Sequence, residues 1–216
     1  MNPFIRLPFL AFFILCSSCV TPLSGSLRLS ERPLKLEAGP ATARLVFVRP
    51  DRFLGGAVGA YLVDVSTKRV LGKSVNQTAF AVDVEPGSHL ICPVPSFDQA
   101  SSRIGPATAA ALSTVVPMTR ITVEAGRTYL FRVSVGWGPR IEAIPSRPDT
   151  LREKALLETL RDVRHVELAP KVDELPGDEL AEWLDLCRLS SSDDLRLSTQ
   201  PDEGRVSVAP TPPLAP

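Results

Sequence analysis

The chain has 216 residues, enough for one domain of about 100–150 residues with tails and too few for two full domains with linkers. Lys+Arg and Asp+Glu balance at 24 each, which excludes an overall field that would recruit nucleic acid or an anionic surface. The balance is uneven along the chain: residues 28–140 carry 14 basic and 8 acidic side chains, a net of +6, and residues 141–205 carry 9 and 16, a net of −7. Two differently solvated faces account for this, and so does an acidic C-terminal part resting on a basic core; salt screens either arrangement.

Residues 1–19 read as a secretory signal. Arg6 supplies a positive start, residues 7–15 are an apolar run broken by Pro8, and Cys16-Ser17-Ser18 is a small-residue exit. The run is about half of the ~20 residues a membrane-spanning helix needs. Ser18-Cys19 at its end resembles the bacterial lipobox, whose cysteine is acylated and becomes the new N-terminus. Cys19 is therefore the expected lipidation site. The pattern departs from the usual one in placing Cys16 where a leucine is preferred. The alternative is an ordinary cleaved signal that contains two cysteines. Val20 is not the Asp that favours inner-membrane retention in enteric bacteria, so the expected address is the outer membrane, facing the periplasm or the cell surface.

Export leaves Cys92 and Cys187 in an oxidising compartment. A bond between them would close about 95 residues and contribute about 4–5 kcal/mol in the chain-entropy picture. Two buried free thiols are the alternative.

Residues 20–42 form a Pro-, Ser- and Gly-rich tether in which Leu27, Leu29, Leu34 and Leu36 alternate with polar residues, so that parts of it can pair at a sheet edge. The β domain is expected over residues 43–145. Residues 44–49 are apolar on both faces between two arginines, as suits a central strand. Short alternating runs follow at 61–65, 69–75, 79–84 and 90–94, and after an unpatterned Ala-, Ser- and Thr-rich stretch at 121–123, 129–135 and 140–144. About seven strands with regularly spaced turns predict a mainly β fold, an antiparallel sandwich or open barrel.

A helical extension over residues 146–190 is expected to pack on it. Thr150 and Glu153 form a capping box that opens one helix. Leu156, Leu160 and Val163 give it an apolar stripe, and Arg161, Arg164 and His165 sit in its last turns, where positive charge suits the dipole. A second helix is expected over residues 178–189, where Leu180, Trp183, Leu184 and Cys187 share a face. Residues 191–216 are polar and then Pro-rich, and read as disordered.

Two stretches repeat. "VEPGSHLIC" at 84–92 and "VEAGRTYLF" at 123–131 each carry Val-Glu-X-Gly between apolar runs, with Gly87 and Gly126 able to supply a positive φ. A two-residue hairpin loop would throw the apolar sets out of step, so the loop has odd length or the chain crosses between sheets. By analogy between the two, Leu90, Cys92 and Val94 face inward and His89 faces solvent. Together with the 44–48 strand, the Gly55-Gly56 loop, Gly72 and the Asn76-Gln77-Thr78 turn, these stretches resemble the bacterial lipoprotein family known as domain of unknown function 2846 over roughly residues 43–145. That resemblance implies a small β domain on a lipid anchor and brings no catalytic residues with it.

Signals of chemistry are weak. Gly72-Lys73-Ser74 imitates the end of a phosphate loop, but Thr67 stands where the first glycine belongs and a strand follows. His89, His165, Cys92 and Cys187 lack the spacing of a metal site, and no Gly-x-Ser-x-Gly is present. No catalytic residue, cofactor or metal is expected. Trp137, between Gly136 and Gly138, is the candidate partner contact, since a tryptophan on a glycine loop can stack on a sugar or a partner; capping a core is its commoner role. The expectation is a non-enzymatic, lipid-anchored envelope module, either binding an envelope protein or cell-wall component or serving as a structural spacer, with no nucleic acid as partner. An envelope hydrolase with a dispersed carboxylate site is the alternative, because distant carboxylates cannot be paired from sequence.

Overall fold

The computed structural model describes residues 27–51, 59–96, 118–135, 141–168, 198–199 and 204–206. These residues are mainly strand. In chain order they form β1 (Leu27–Leu29), β2 (Ala43–Arg49), β3 (Gly59–Asp64), β4 (Arg69–Ser74), β5 (Thr78–Val84), β6 (Gly87–Ser96), β7 (Thr119–Val123), β8 (Arg127–Val135) and β9 (Ile141–Ser146). One helix, α1 (Leu151–Asp162), follows, and then β10 (Arg164–Leu168), β11 (Ser198–Thr199) and β12 (Arg205–Val206).

Two sheets result. The first runs β1-β10-β5-β2-β8-β12, with β9 also paired to β8; the second runs β11-β7-β6-β3-β4. Both sheets send alternate side chains into one core. Leu45 and Phe47 of β2, Phe80 of β5 and Tyr129, Phe131 and Val133 of β8 meet Leu62, Ile91 and Ile121 from the second sheet. Three phenylalanines lie in a row across the first sheet, because Phe47 is the register partner of both Phe80 and Phe131. Their ring centroids are 5.1 and 5.0 Å apart, a stacked arrangement that adds to the burial energy. The 44–49 stretch is a central strand as its two-sided apolar pattern predicts: β2 lies between β5 and β8, and its other face packs Val46 and Val48 against Leu156 and Leu160 of α1.

Three expectations need correction. The described residues contain twelve strands where about seven were expected, and the sheets are mixed where they were expected to be antiparallel: β2 pairs β8, β10 pairs β5 and β11 pairs β7 in parallel. Helix α1 stops at Asp162, with Val163 extended, so Arg164 and His165 enter a strand and only Arg161 occupies the last helical turn. The strand wins because Arg164 and His165 pair with Thr78 and Ala79 while Val166 reaches the core. The second expected helix lies outside the described residues.

Neither Val-Glu-X-Gly stretch closes a hairpin. β5 belongs to the first sheet and β6 to the second, while β7 belongs to the second and β8 to the first. Each turn carries the chain across the core, which resolves the parity conflict. The two corners meet, since Gly87 is the register partner of Val123. Gly126 adopts φ +72 in its corner and donates its N–H to the Thr42 carbonyl. The inward set on β6 is accordingly His89 and Ile91. Cys92 and Val94 point to the opposite face, where they are buried with Val63, Val65, Val70 and Met118.

Candidate functional site

The described residues before β2, 27–42, stay on the body of the protein. β1 pairs with β10 at the sheet edge. Beyond it the Ser30 N–H donates to the His165 carbonyl, the Leu34 N–H to His165 Nδ1, and Thr128 Oγ1 donates to the Leu36 carbonyl. The segment 30–42 thus straps the outer face of the first sheet beside α1, which starts where its sequence predicts. Thr150 Oγ1 accepts from the Glu153 N–H at 3.2 Å, and the Glu153 carboxylate reaches back to the Asp149 N–H at 2.7 Å, one residue earlier than the standard box.

Strap and helix do not close completely on the sheet. Between them lies a cavity of about 610 Å³, within the range of small-molecule sites. Its walls carry Leu34 and Leu36 from the strap, Leu130 from β8 and Leu157 and Leu160 from α1. Polar groups enter from Thr128, Glu37, Arg161, His165 and Arg205. His165 is satisfied as a neutral ring: Nδ1 accepts from the Leu34 N–H, so Nε2 carries the proton and donates to the Leu160 carbonyl at 3.1 Å. Arg205 stands 3.6 Å from Glu153. Arg161 is exposed and has neither a hydrogen bond nor an ion pair among the described residues. The cavity therefore offers five leucines, one carboxylate and two guanidinium groups.

A second polar cluster lies inside the protein. His89 and Asp64 are 5% and 1% exposed, on the core-facing side of β6 and β3. His89 Nδ1 is 2.7 Å from Asp64 Oδ2, and Nε2 is 2.8 Å from the Glu85 carbonyl. Two acceptors face two ring nitrogens, so the ring is satisfied only as imidazolium. The hydrogen bond to Asp64 raises the His89 pKa above its ordinary value against the opposing effect of burial. Burial acts to raise the Asp64 pKa, but hydrogen bonds from His89, Thr67 and the Ser66 N–H outweigh it and hold the carboxyl below its ordinary value. This corrects the expectation that His89 faces solvent. Both ring nitrogens are occupied, so the pair fastens the β3–β4 turn to the first corner and has no nitrogen left for proton transfer to a ligand.

Lys73, which the phosphate-loop imitation singled out, is wholly buried on β4 with Nζ 4.7 Å above the Tyr61 ring, and burial lowers its pKa to about 8. Its neighbour Gly72 is a packing glycine: an added Cβ would lie 2.2 Å from the Phe80 ring. Cys92 is buried and disulfide-bonded. Its partner lies outside the described residues, as do Cys19, Cys187 and Trp137. Among the described residues no three His, Cys, Asp or Glu side chains gather as metal ligands, and no helix is long and apolar enough to cross a membrane.

Sequence reasoning missed the cavity, although Leu34, Leu36 and Leu160 were each noted as apolar positions. It missed the buried pair for a different reason, since Asp64-Val65-Ser66-Thr67 is a legible Asx-turn signal that bore no visible relation to His89. No protein-family model, curated protein or solved structure matches the chain.

Proposed function

We propose that the protein is a lipid-anchored cell-envelope protein whose two sheets form a β-sandwich serving as a non-enzymatic binding or structural module. The observation that carries this reading is the N-terminal order of residues: Arg6, the apolar run 7–15, Ser18-Cys19, and then a chain that joins the β fold from Leu27. Acylation of Cys19 by several chains gives durable attachment, which one chain alone does not. Val20 favours the outer membrane. The resemblance to the domain of unknown function 2846 family supports the same reading through its turn residues.

Binding is favoured over hydrolysis by the chemistry of the described residues. The cavity beside α1 has one carboxylate, Glu37, and the buried His89–Asp64 pair has no free ring nitrogen. Cys187 is the proposed partner of Cys92, because Cys16 leaves with the signal and Cys19 is acylated. Radiolabelled palmitate supplied to cells making the wild-type chain and Cys19→Ser tests the anchor. Label in the wild type and none in the variant is the expected result; equal label in both would remove Cys19 from the reading.

A further inference from the structure

We infer that the cavity between the strap, α1 and β8 is a binding site for a single-chain amphiphile with an anionic head. The inference does not depend on the anchor. Leu34, Leu36, Leu130, Leu157 and Leu160 belong to one packed cluster and line a space of about 610 Å³. Leu130 and Leu160 are already buried, and a hydrocarbon chain in that space covers what remains exposed of Leu34, Leu36 and Leu157, at about 25 cal/mol per Å² of apolar area. The head is chosen by charge. Arg161 has no acid partner among the described residues, and Arg205 stands 3.6 Å from Glu153. Arg205 is thus offset by Glu153, and Glu37, the carboxylate of the lining, acts on Arg44, which leaves Arg161 as the lining charge without a counter-ion among the described residues. A carboxylate or phosphate at the Arg161 side meets a guanidinium able to bind it bidentately. A cationic head would meet like charge.

The same walls disfavour an extended peptide. A peptide's main-chain groups need partners, and three of the strap's own are taken: the Leu34 N–H by His165, the Lys35 carbonyl by Arg44 and the Leu36 carbonyl by Thr128. Five leucines offer no replacements, whereas a hydrocarbon chain requires none.

The test uses the full-length chain carrying Cys19→Ser, so that no acyl group of its own competes. Calorimetric titrations with laurate, dodecanol and dodecylamine compare three heads on one chain. Laurate is expected to bind at one site per molecule, dodecanol about tenfold more weakly for want of a charge-assisted hydrogen bond, and dodecylamine not measurably. Arg161→Gln, a change on the surface, is expected to weaken laurate about tenfold and leave dodecanol unchanged. Lysophosphatidylglycerol distinguishes the sources: competition with laurate at higher affinity assigns the site to a phospholipid, and lower affinity assigns it to a free fatty acid. Absence of laurate binding, equal binding of dodecylamine, or an Arg161→Gln variant with unchanged laurate affinity and an unchanged melting midpoint would each overturn the proposal. Binding of an apolar peptide with no binding of laurate would transfer the site to a protein partner.

Discussion

His89 Nδ1 lies 2.7 Å from Asp64 Oδ2, and the two residues come from different strands of the second sheet. Asp64 is the register partner of Ile91, so His89 approaches it diagonally across the ladder. The pair joins a hairpin turn to a corner that crosses the core.

Removing one partner strands the other's charge. His89→Gln is expected to lose about 3–5 kcal/mol, as measured for broken buried pairs. Asp64→Asn combined with His89→Gln is expected to lose less than the sum of the two single changes. Urea titrations measure both. A loss below about 1 kcal/mol for His89→Gln would mean that the ring is not charged in the fold.

The same pair sets a pH window. The His89 pKa is raised in the fold, so its contribution is complete below the ordinary value of 6.5 and is lost as pH rises through the higher folded value. The Asp64 pKa is lowered, so its contribution is complete above the ordinary value of 3.8 and is lost as pH falls through the lower folded value. Stability supplied by the pair is therefore full between those ordinary values and declines on both sides. Melting midpoints across that range are expected to fall at each end in the wild type more than in the doubly neutral variant.

Lys73 acts in the opposite sense. Its folded pKa of about 8 lies below the ordinary 10.5, so between these values the unfolded chain binds more protons and stability rises with pH. Lys73→Met keeps the buried stem and discards the charge. It removes the desolvated charge together with its contact to Tyr61, and is expected to flatten the alkaline rise. An unchanged alkaline slope in the variant would assign that slope to another group.

Gly72 and Gly126 are predicted to differ under the same substitution. Gly126→Ala meets open space but keeps φ +72, a cost of about 1 kcal/mol. Gly72→Ala drives a methyl group into the Phe80 ring and through it against Phe47, with an expected cost of about 1–3 kcal/mol. Denaturation midpoints rank the two; the reverse order would remove the close approach as the reason for Gly72.

Strands with strict alternation were legible in the sequence. Tyr129, Phe131 and Val133 face the core as their spacing predicts, and the Thr150–Glu153 cap opens α1. β11 and β12, two residues each, are too short to carry a period. Arg164 and His165, which open β10, read as the end of the helix because positive charge there suits the dipole, and the pairing with β5 lies far away in sequence. His89 was misplaced because facing was transferred from one Val-Glu-X-Gly stretch to the other. β6 and β8 leave their corners for opposite sheets, so equal offsets from the glycine do not imply equal facing. The cavity had no signature, since strap, strand and helix each supply only one or two of its leucines and helical or strand periodicity accounts for them equally well.

The strap fixes a length. Leu27 is already paired to β10, and Cys19 precedes it by eight residues. A fully extended chain covers at most about 28 Å in eight steps. If Cys19 carries the lipid, the leash is short. The domain would ride close against its own bilayer instead of reaching across the space beyond, and a distant partner would have to supply the reach itself.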